Sequence, residues 1–135
     1  MKEGTIMLET YTIISKHSFE DTIAKLKESL MLNGFGTLCA ISLNERFAAK
    51  QLSYDDQLMI LEICNPLEAY NALLVDPNII YFLPCKIVVK ANKESVTASM
   101  ISPTALIELI GHTHLNAFAV NIQTSLEKAM NSLSS

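Results

Sequence analysis

A long amphipathic helix predicted near the C-terminal end is the feature that most constrains the fold. From about residue 113 to 133, apolar side chains recur at helical intervals and form one continuous face. The face consists of Leu115, Phe118, Ala119, Ile122, Leu126, Ala129 and Met130. A face of this length has to be buried against another layer, and the preceding sequence contains several strand-like segments. We therefore expect an α+β domain in which this helix covers a sheet.

Composition places the chain among small globular domains. It has 135 residues, half of them apolar, which is enough for one core and predicts a single domain over residues 1–135. The net charge is -4 and the basic residues are scattered singly, whereas phosphate binding needs clustered Lys and Arg. We therefore expect no nucleic-acid partner.

The sequence also indicates a cellular compartment. Polar and acidic residues occur at once in Met1–Thr5, where a signal peptide would be apolar, and no apolar run approaches the roughly 18 residues that span a bilayer. Three cysteines at irregular spacing do not describe a disulfide framework. These features predict a cytoplasmic protein with no membrane partner.

Five segments have the composition and periodicity of strands. They are Leu8–Ile14, Phe35–Leu43, Gln57–Ile63, Cys85–Lys90 and Ser95–Ile101. The alternation within Phe35–Leu43 predicts a strand with one fully buried face, in the centre of the sheet.

Helix boundaries are indicated by capping residues, prolines and glycines. Ser18 is a candidate N-cap for a helix that Asn33-Gly34 ends, and Asn44 for a short helix through about Leu52. Asn65, Pro66 and Glu68 fit the N-cap, N1 and N3 positions of a helix to about Val75. Ser102-Pro103 opens a further short helix, which Gly111 closes.

Two cysteines beside prolines are the main candidates for chemistry, in Cys64-Asn65-Pro66 and Leu83-Pro84-Cys85. Cys64 precedes a helix N-terminus, where the helix dipole favours a thiolate, but this position is also one where a residue packs onto the helix. Cys85 follows a proline that suits a strand entrance, which again indicates packing. Capping alone explains the residues around Cys64.

The two thiols are expected to lie close together. A helix of about 10 residues rises roughly 15 Å, and the extended residues that follow can retrace that length. This return brings Cys85 towards Cys64, within the roughly 7 Å between Cα atoms that a disulfide allows. Cys64, Asn65, Pro84 and Cys85 are therefore the candidate ligand-binding residues, and no catalytic residue is assigned.

Two other chemistries remain as alternatives. A redox protein would use Cys64 with Cys85 as its resolving partner. A haem or metal protein would add His112 and His114 to the two thiols, although closely spaced ligand pairs such as CxxC are absent from the sequence. Histidines at such a junction between helices are more often solvated.

An ordered set of short motifs resembles domain-of-unknown-function family 302. The motifs are Gly34-Phe35-Gly36, Cys64-Asn65-Pro66 with Ala69-Tyr70, Asp76-Pro77, and Leu83-Pro84-Cys85 with Val88-Val89, within Ser18 to Pro103. The resemblance implies a TATA-binding-protein-like, helix-grip domain with a curved antiparallel sheet covered by a long C-terminal helix. It also implies a homodimer, and the family has no established general activity.

The chain departs from the family pattern at two places. Ala40 and Ile41 stand where an acidic residue is common, and Ser102-Pro103 where Asp-Pro is common. Together, residues and resemblance predict a non-enzymatic homodimer that holds a small apolar ligand in the groove between helix and sheet, near Cys64 and Cys85. The alternative is a structural homodimer whose groove is filled by its own Leu, Ile and Phe side chains and binds nothing. Cofactors are not specified by the sequence.

Overall fold

The structure is a computed structural model that describes residues 9–111 and 113–135. Its strands are β1 (Thr10–Ser15), β2 (Gly36–Ser42), β3 (Gln57–Cys64), β4 (Cys85–Ala91) and β5 (Val96–Ile101). Its helices are α1 (Phe19–Leu32), α2 (Leu43–Ala48), α3 (Pro66–Val75), α4 (Pro103–Ile110) and α5 (Asn116–Asn131), and a 3₁₀ helix follows α3 over Pro77–Phe82. All five predicted strands are present, although Leu8, the predicted start of the first, lies outside the described residues.

The strands form one antiparallel, curved sheet in the order β1-β5-β4-β3-β2. Residues directly opposite each other in adjacent strands share a face of the sheet. Ile63 of β3 pairs with Cys85 of β4, and Leu61 pairs with Ile87. Ile63, Leu61 and Ile87 are fully buried, so this face of the sheet carries the core.

Helices α1 and α5 cover the core face, which confirms the predicted arrangement of a C-terminal helix over a sheet. The largest buried side chains of this main core come from both layers. They are Leu26, Leu30, Phe35, Leu61, Ile63, Ile87, Val89, Leu126, Met130 and Leu133. The α+β class predicted from the sequence is therefore correct. Among the described residues, no helix combines the length and apolar character needed to cross a membrane.

Three of the predicted helix boundaries are found with the expected chemistry. The Asp21 amide donates to the Ser18 hydroxyl at 3.1 Å, and the Glu68 amide donates to Asn65 Oδ1 at 3.2 Å. Gly111 ends α4 in the left-handed conformation, with φ of 79°. Local capping signals were sufficient here because each involves groups only a few residues apart.

The prediction that the second strand is central, with one fully buried face, is wrong. β2 lies at the edge of the sheet, and none of its residues is fully buried. An edge strand has a neighbour on one side only, so its side chains have fewer packing partners, and Ala40 is exposed although it pairs with buried Leu61. In addition, a register shift lies between Thr37 and Cys39, so that Thr37 pairs with buried Ile63 whereas Cys39 pairs with Glu62 on the opposite face. The bulge breaks the alternation on which the prediction relied.

Asn44 is not the cap of the second helix. Ser42 holds that position, and its hydroxyl accepts from the Glu45 amide at 3.2 Å. Asn44 instead lies inside α2, where its amide group donates to the Asp56 carbonyl at 2.8 Å and its Oδ1 accepts from the Leu58 amide at 2.7 Å. It therefore ties the helix to the start of β3.

The N-terminus of α4 is capped by a distant side chain. Ser102 stands at the N-cap position but makes no capping hydrogen bond. Gln123 of α5 supplies the acceptor, because its Oε1 receives the Thr104 amide at 3.0 Å and the Thr104 hydroxyl at 2.7 Å. This contact fixes α4 against α5.

Two glycines, Gly34 and Gly36, lie close together where α1 leads into β2. The backbone requires glycine only at Gly34. Gly34 has φ of 90°, and a Cβ added there would lie 2.9 Å from Asn65 Nδ2. Gly36 would place its Cβ in open space. We expect Gly34→Ala to lower the free energy of unfolding by about 1–3 kcal/mol, because it adds both backbone strain and a steric clash.

Gly36→Ala is the matched control, and its effect should stay within about 1 kcal/mol. Urea unfolding of both variants, followed by circular dichroism, measures the difference. Equal destabilisation by the two substitutions would contradict the proposed role of Gly34.

Candidate functional site

A cavity lies where the main core meets a second apolar cluster. The second cluster consists of Ala72, Ile79, Ile107, Leu115 and Ala119, from α3, the 3₁₀ helix, α4 and the start of α5. Phe118 packs against both clusters. The walls are therefore made by the end of the sheet on one side and by the short helices on the other. The cavity is lined by Phe35, Ile63, Cys64, Asn65, Glu68, Ala69, Ile79, Phe82, Leu83, Cys85, Pro103, Leu106, Ile107, Phe118, Ala119 and Ile122.

The cavity is small and mostly apolar. The space that the centre of a water molecule can occupy in it has a volume of about 70 Å³. This is larger than the roughly 10–15 Å³ that one water needs, and smaller than an engineered 150 Å³ cavity that binds benzene. Glu68 contributes the charged group among the lining residues and Asn65 the amide. The cavity therefore suits an apolar group with a polar end that contacts α3.

The polar wall is positioned by the start of α3. Asn65 follows the last residue of β3 and caps the helix, which places Glu68 one turn further along the same inner side. The close approach of Asn65 to Gly34 fixes this end of α3 against the turn before β2. The end of β3, the turn before β2 and the start of α3 therefore all lie next to the Asn65 side chain.

The two proline-flanked cysteines both line this cavity. Cys85 pairs in register with Ile63, and Cys64 is the next residue of β3. Both thiols are free and partly buried, and no disulfide joins them. The prediction that they lie near each other agrees with this arrangement, although both also contribute to packing around the cavity.

Burial dominates the electrostatics of Cys85. Its removal from water raises the pKa of the thiol to about 11, and the neighbouring Cys64 adds a further increase. A thiol in this state is protonated at neutral pH and is a weak nucleophile. The local environment favours an apolar contact over thiolate chemistry at this residue.

The remaining predicted residues fall outside the cavity wall. Pro84 follows a cis peptide bond from Leu83 and is not among the lining residues. His114 Nε2 lies 3.4 Å from Asp76 Oδ2, and His112 lies outside the described residues. Within residues 9–111 and 113–135, no group of three or more His, Cys, Asp or Glu side chains is arranged to hold a metal ion.

Sequence reasoning missed most of the cavity wall. The sequence assigns Glu68 to capping and Phe118 to the apolar face of the last helix, and it indicates no role for Leu106 or Ile107. The sequence does contain a signal that Glu68 lies on the same side of α3 as Asn65. The two residues are three positions apart, and residues with this spacing share a helix face. The apolar lining has no equivalent signal, because core and cavity positions share the same residue types.

The shifted pKa of Cys85 predicts a pH dependence of stability. An unfolded thiol ionises near its ordinary pKa of 9.0, whereas the folded thiol keeps its proton up to about 11. The folded state therefore binds more protons between these values, so the stabilisation is complete below pH 9 and is lost as pH rises towards 11. Wild type should lose about 1–3 kcal/mol more than Cys85→Ala between pH 8 and pH 10.5.

Urea unfolding at both pH values measures this difference, and Cys39→Ala, at an exposed position, controls for the loss of a thiol. Parallel pH profiles for wild type and Cys85→Ala would contradict the role of burial.

Comparison with known proteins agrees with the motifs in the sequence. The family model for the domain of unknown function DUF302 matches residues 11–133. A crystal structure of an uncharacterized conserved DUF302 protein from Bacillus stearothermophilus is 33% identical, covers 92% of this chain and 97% of its own, and superposes with a TM-score of 0.88. No curated protein matches. The chain belongs to the DUF302 family.

Proposed function

We propose that the protein is a cytoplasmic, homodimeric binding protein for a small, mostly apolar molecule that carries a hydrogen-bond donor. The observation that carries this proposal is the cavity between the two apolar clusters, in which Asn65 and Glu68 form a polar edge on an otherwise apolar wall. Apolar walls with a few placed polar groups are typical of small-molecule sites.

The charge of the wall selects the class of ligand. Glu68 places a carboxylate at the cavity, and the lining residues include no Lys or Arg. An anionic ligand would be repelled, whereas an alcohol or a primary ammonium group can donate to the carboxylate. We therefore favour short alkyl alcohols and amines as representatives of the ligand class.

A thiol-dependent redox activity is less well supported than ligand binding. Cys64 and Cys85 line one cavity, as that activity requires, but the raised pKa of Cys85 makes it a poor thiolate donor. A resolving cysteine has to attack as a thiolate. The same burial favours Cys85 as part of an apolar wall.

Three further features belong to the proposal. A reducing cytoplasm agrees with three free cysteines. The TATA-binding-protein-like, helix-grip assignment is supported by a curved five-stranded antiparallel sheet beneath a C-terminal helix. The homodimer is supported by many large apolar side chains that remain exposed in the single chain.

Ligand binding is tested by titrating the protein with butan-1-ol, butylamine and butyrate, which share one alkyl chain and differ in the polar end. The methyl resonances of Ile63, Ile79, Ile107 and Ile122, which line the cavity, report binding. We expect the alcohol and the amine to shift these resonances and butyrate to bind at least about tenfold more weakly, because its charge repels Glu68.

Two pairs of variants sharpen this experiment. Ala69→Leu fills the cavity and should abolish the shifts, whereas Ala24→Leu makes the same change at an exposed position of α1 and should preserve them. Glu68→Gln should reduce the discrimination against butyrate. Unchanged cavity resonances with all three compounds would refute the proposed ligand class.

The homodimer is tested by the mass of the wild-type protein. One chain has a mass of 14.9 kDa, so light scattering at micromolar concentration should give about twice that value. A mass of one chain across the micromolar range would refute the dimer without bearing on the cavity.

A further inference from the structure

The outer side of α3 is mostly apolar, with Asn71 as its polar residue, even though it is exposed. Its inner side supplies Ala72 to the second cluster and Glu68 and Ala69 to the cavity. Leu67, Tyr70 and Leu74 are exposed and lie on one face, because residues three, four and seven apart are neighbours on a helix. A helix that is apolar on both sides is typical of a buried one.

The 3₁₀ helix after α3 extends this apolar surface. Together the two helices expose six large apolar side chains, which we call the α3 patch. The patch consists of Leu67, Tyr70, Leu74, Val75, Ile80 and Tyr81, each between 52% and 81% exposed. α3 and the 3₁₀ helix follow each other in the chain and contact each other directly.

The size of the patch approaches that of one side of a stable interface. Aromatic side chains have roughly 150–250 Å² of surface and aliphatic ones less, so the six side chains, each more than half exposed, present on the order of 600 Å². The largest apolar patch on a typical monomer is about 300–600 Å², and a standard interface buries about 800 Å² on each partner. An area of this size is sufficient for association once neighbouring polar atoms are included.

The charges around the patch distinguish between a membrane and a second copy. No Lys or Arg occurs between Lys50 and Lys86, and the chain has a net charge of -4. A surface without basic residues gains nothing from anionic lipid headgroups, which bind proteins through Lys and Arg.

Two acidic residues lie in α3 or directly after it. Glu68 is partly buried at the cavity, and the Asp76 side chain is 13% exposed and lies beside His114. Glu68 is a helical neighbour of Val75 at the rim of the patch, but Leu67, Tyr70 and Leu74 form a face without a carboxylate, so two patches can meet there without bringing carboxylates together.

The β2 edge of the sheet offers a weaker alternative contact. β2 is an edge strand, but its register shift at Leu38 interrupts the row of groups that a second strand would pair with. An apolar helical surface is therefore better suited to a symmetric contact than this edge.

We infer that the α3 patch is the surface through which a second copy of this chain binds, in a symmetric contact of patch on patch. The inference rests on the proposed homodimer and specifies its interface. In such an isologous contact each substitution acts twice, once in each copy. A charge placed at the centre of the patch is therefore buried twice without a partner.

The experiment compares Leu74→Glu and Tyr81→Glu with Leu32→Glu, a matched change at the exposed end of α1. Sedimentation equilibrium measures the dimer dissociation constant of each, and circular dichroism verifies that each is folded. We expect both patch variants to raise the dissociation constant at least about a hundredfold, and the control to leave it within about threefold of wild type.

Each outcome decides one part of the proposal. Dimeric patch variants would overturn this inference and leave the homodimer to another surface, whereas a monomeric wild type would overturn both the interface and the homodimer. Co-sedimentation of wild type with vesicles of phosphatidylcholine and phosphatidylglycerol, abolished by Leu74→Glu, would assign the patch to a lipid surface and also overturn the inference. None of these results depends on the titrations at the cavity.

Discussion

The side chain of Asn65 is the contact on which the arrangement of the cavity depends. Its Oδ1 accepts the Glu68 amide and starts α3, while its amide nitrogen lies against Gly34 in the turn that precedes β2. Asn65 also follows directly on Cys64, the last residue of β3. One amide therefore combines the start of α3, which places Glu68 in the wall, with a close approach to the turn before β2 that leaves no room for a Cβ at Gly34.

The cavity follows from the way the chain divides its apolar residues. The sheet, α1 and α5 enclose the main core, whereas α3, the 3₁₀ helix and α4 build a second cluster beyond the end of the sheet. Protein interiors are close-packed on average, so the cavity marks a place where the surfaces of the two clusters do not fit together completely. Phe118 contacts both clusters and Cys85 borders the gap, which is why burial governs its thiol. Within this mostly apolar wall Glu68 carries the charge among the lining residues, and a low local dielectric strengthens its electrostatic interactions.

The sequence predicted those parts of the fold that depend on neighbouring residues. The caps at Ser18 and Asn65 and the end at Gly111 need groups a few positions apart, and all three are correct. The edge position of β2 depends on which distant strands pair, its broken alternation on a bulge against β3, and the cap of α4 on Gln123, which is 19 residues from Thr104. Local periodicity does not indicate which distant segments of the chain contact each other. For the site, the thiols and Asn65 were identified, but the contact of Asn65 with Gly34 and the role of Glu68 required the fold.

Helix α3 connects the proposed ligand site with the proposed interface. Its inner side carries Glu68 and Ala69 at the cavity, and its outer side carries Leu74 and the rest of the α3 patch. The two sides of α3 therefore differ in character: the inner one borders a gap that the chain leaves unfilled, and the outer one remains exposed in the single chain. Substitutions at Ala69 and at Leu74 act on opposite sides of one helix, so the ligand site and the interface can be tested, and can fail, independently.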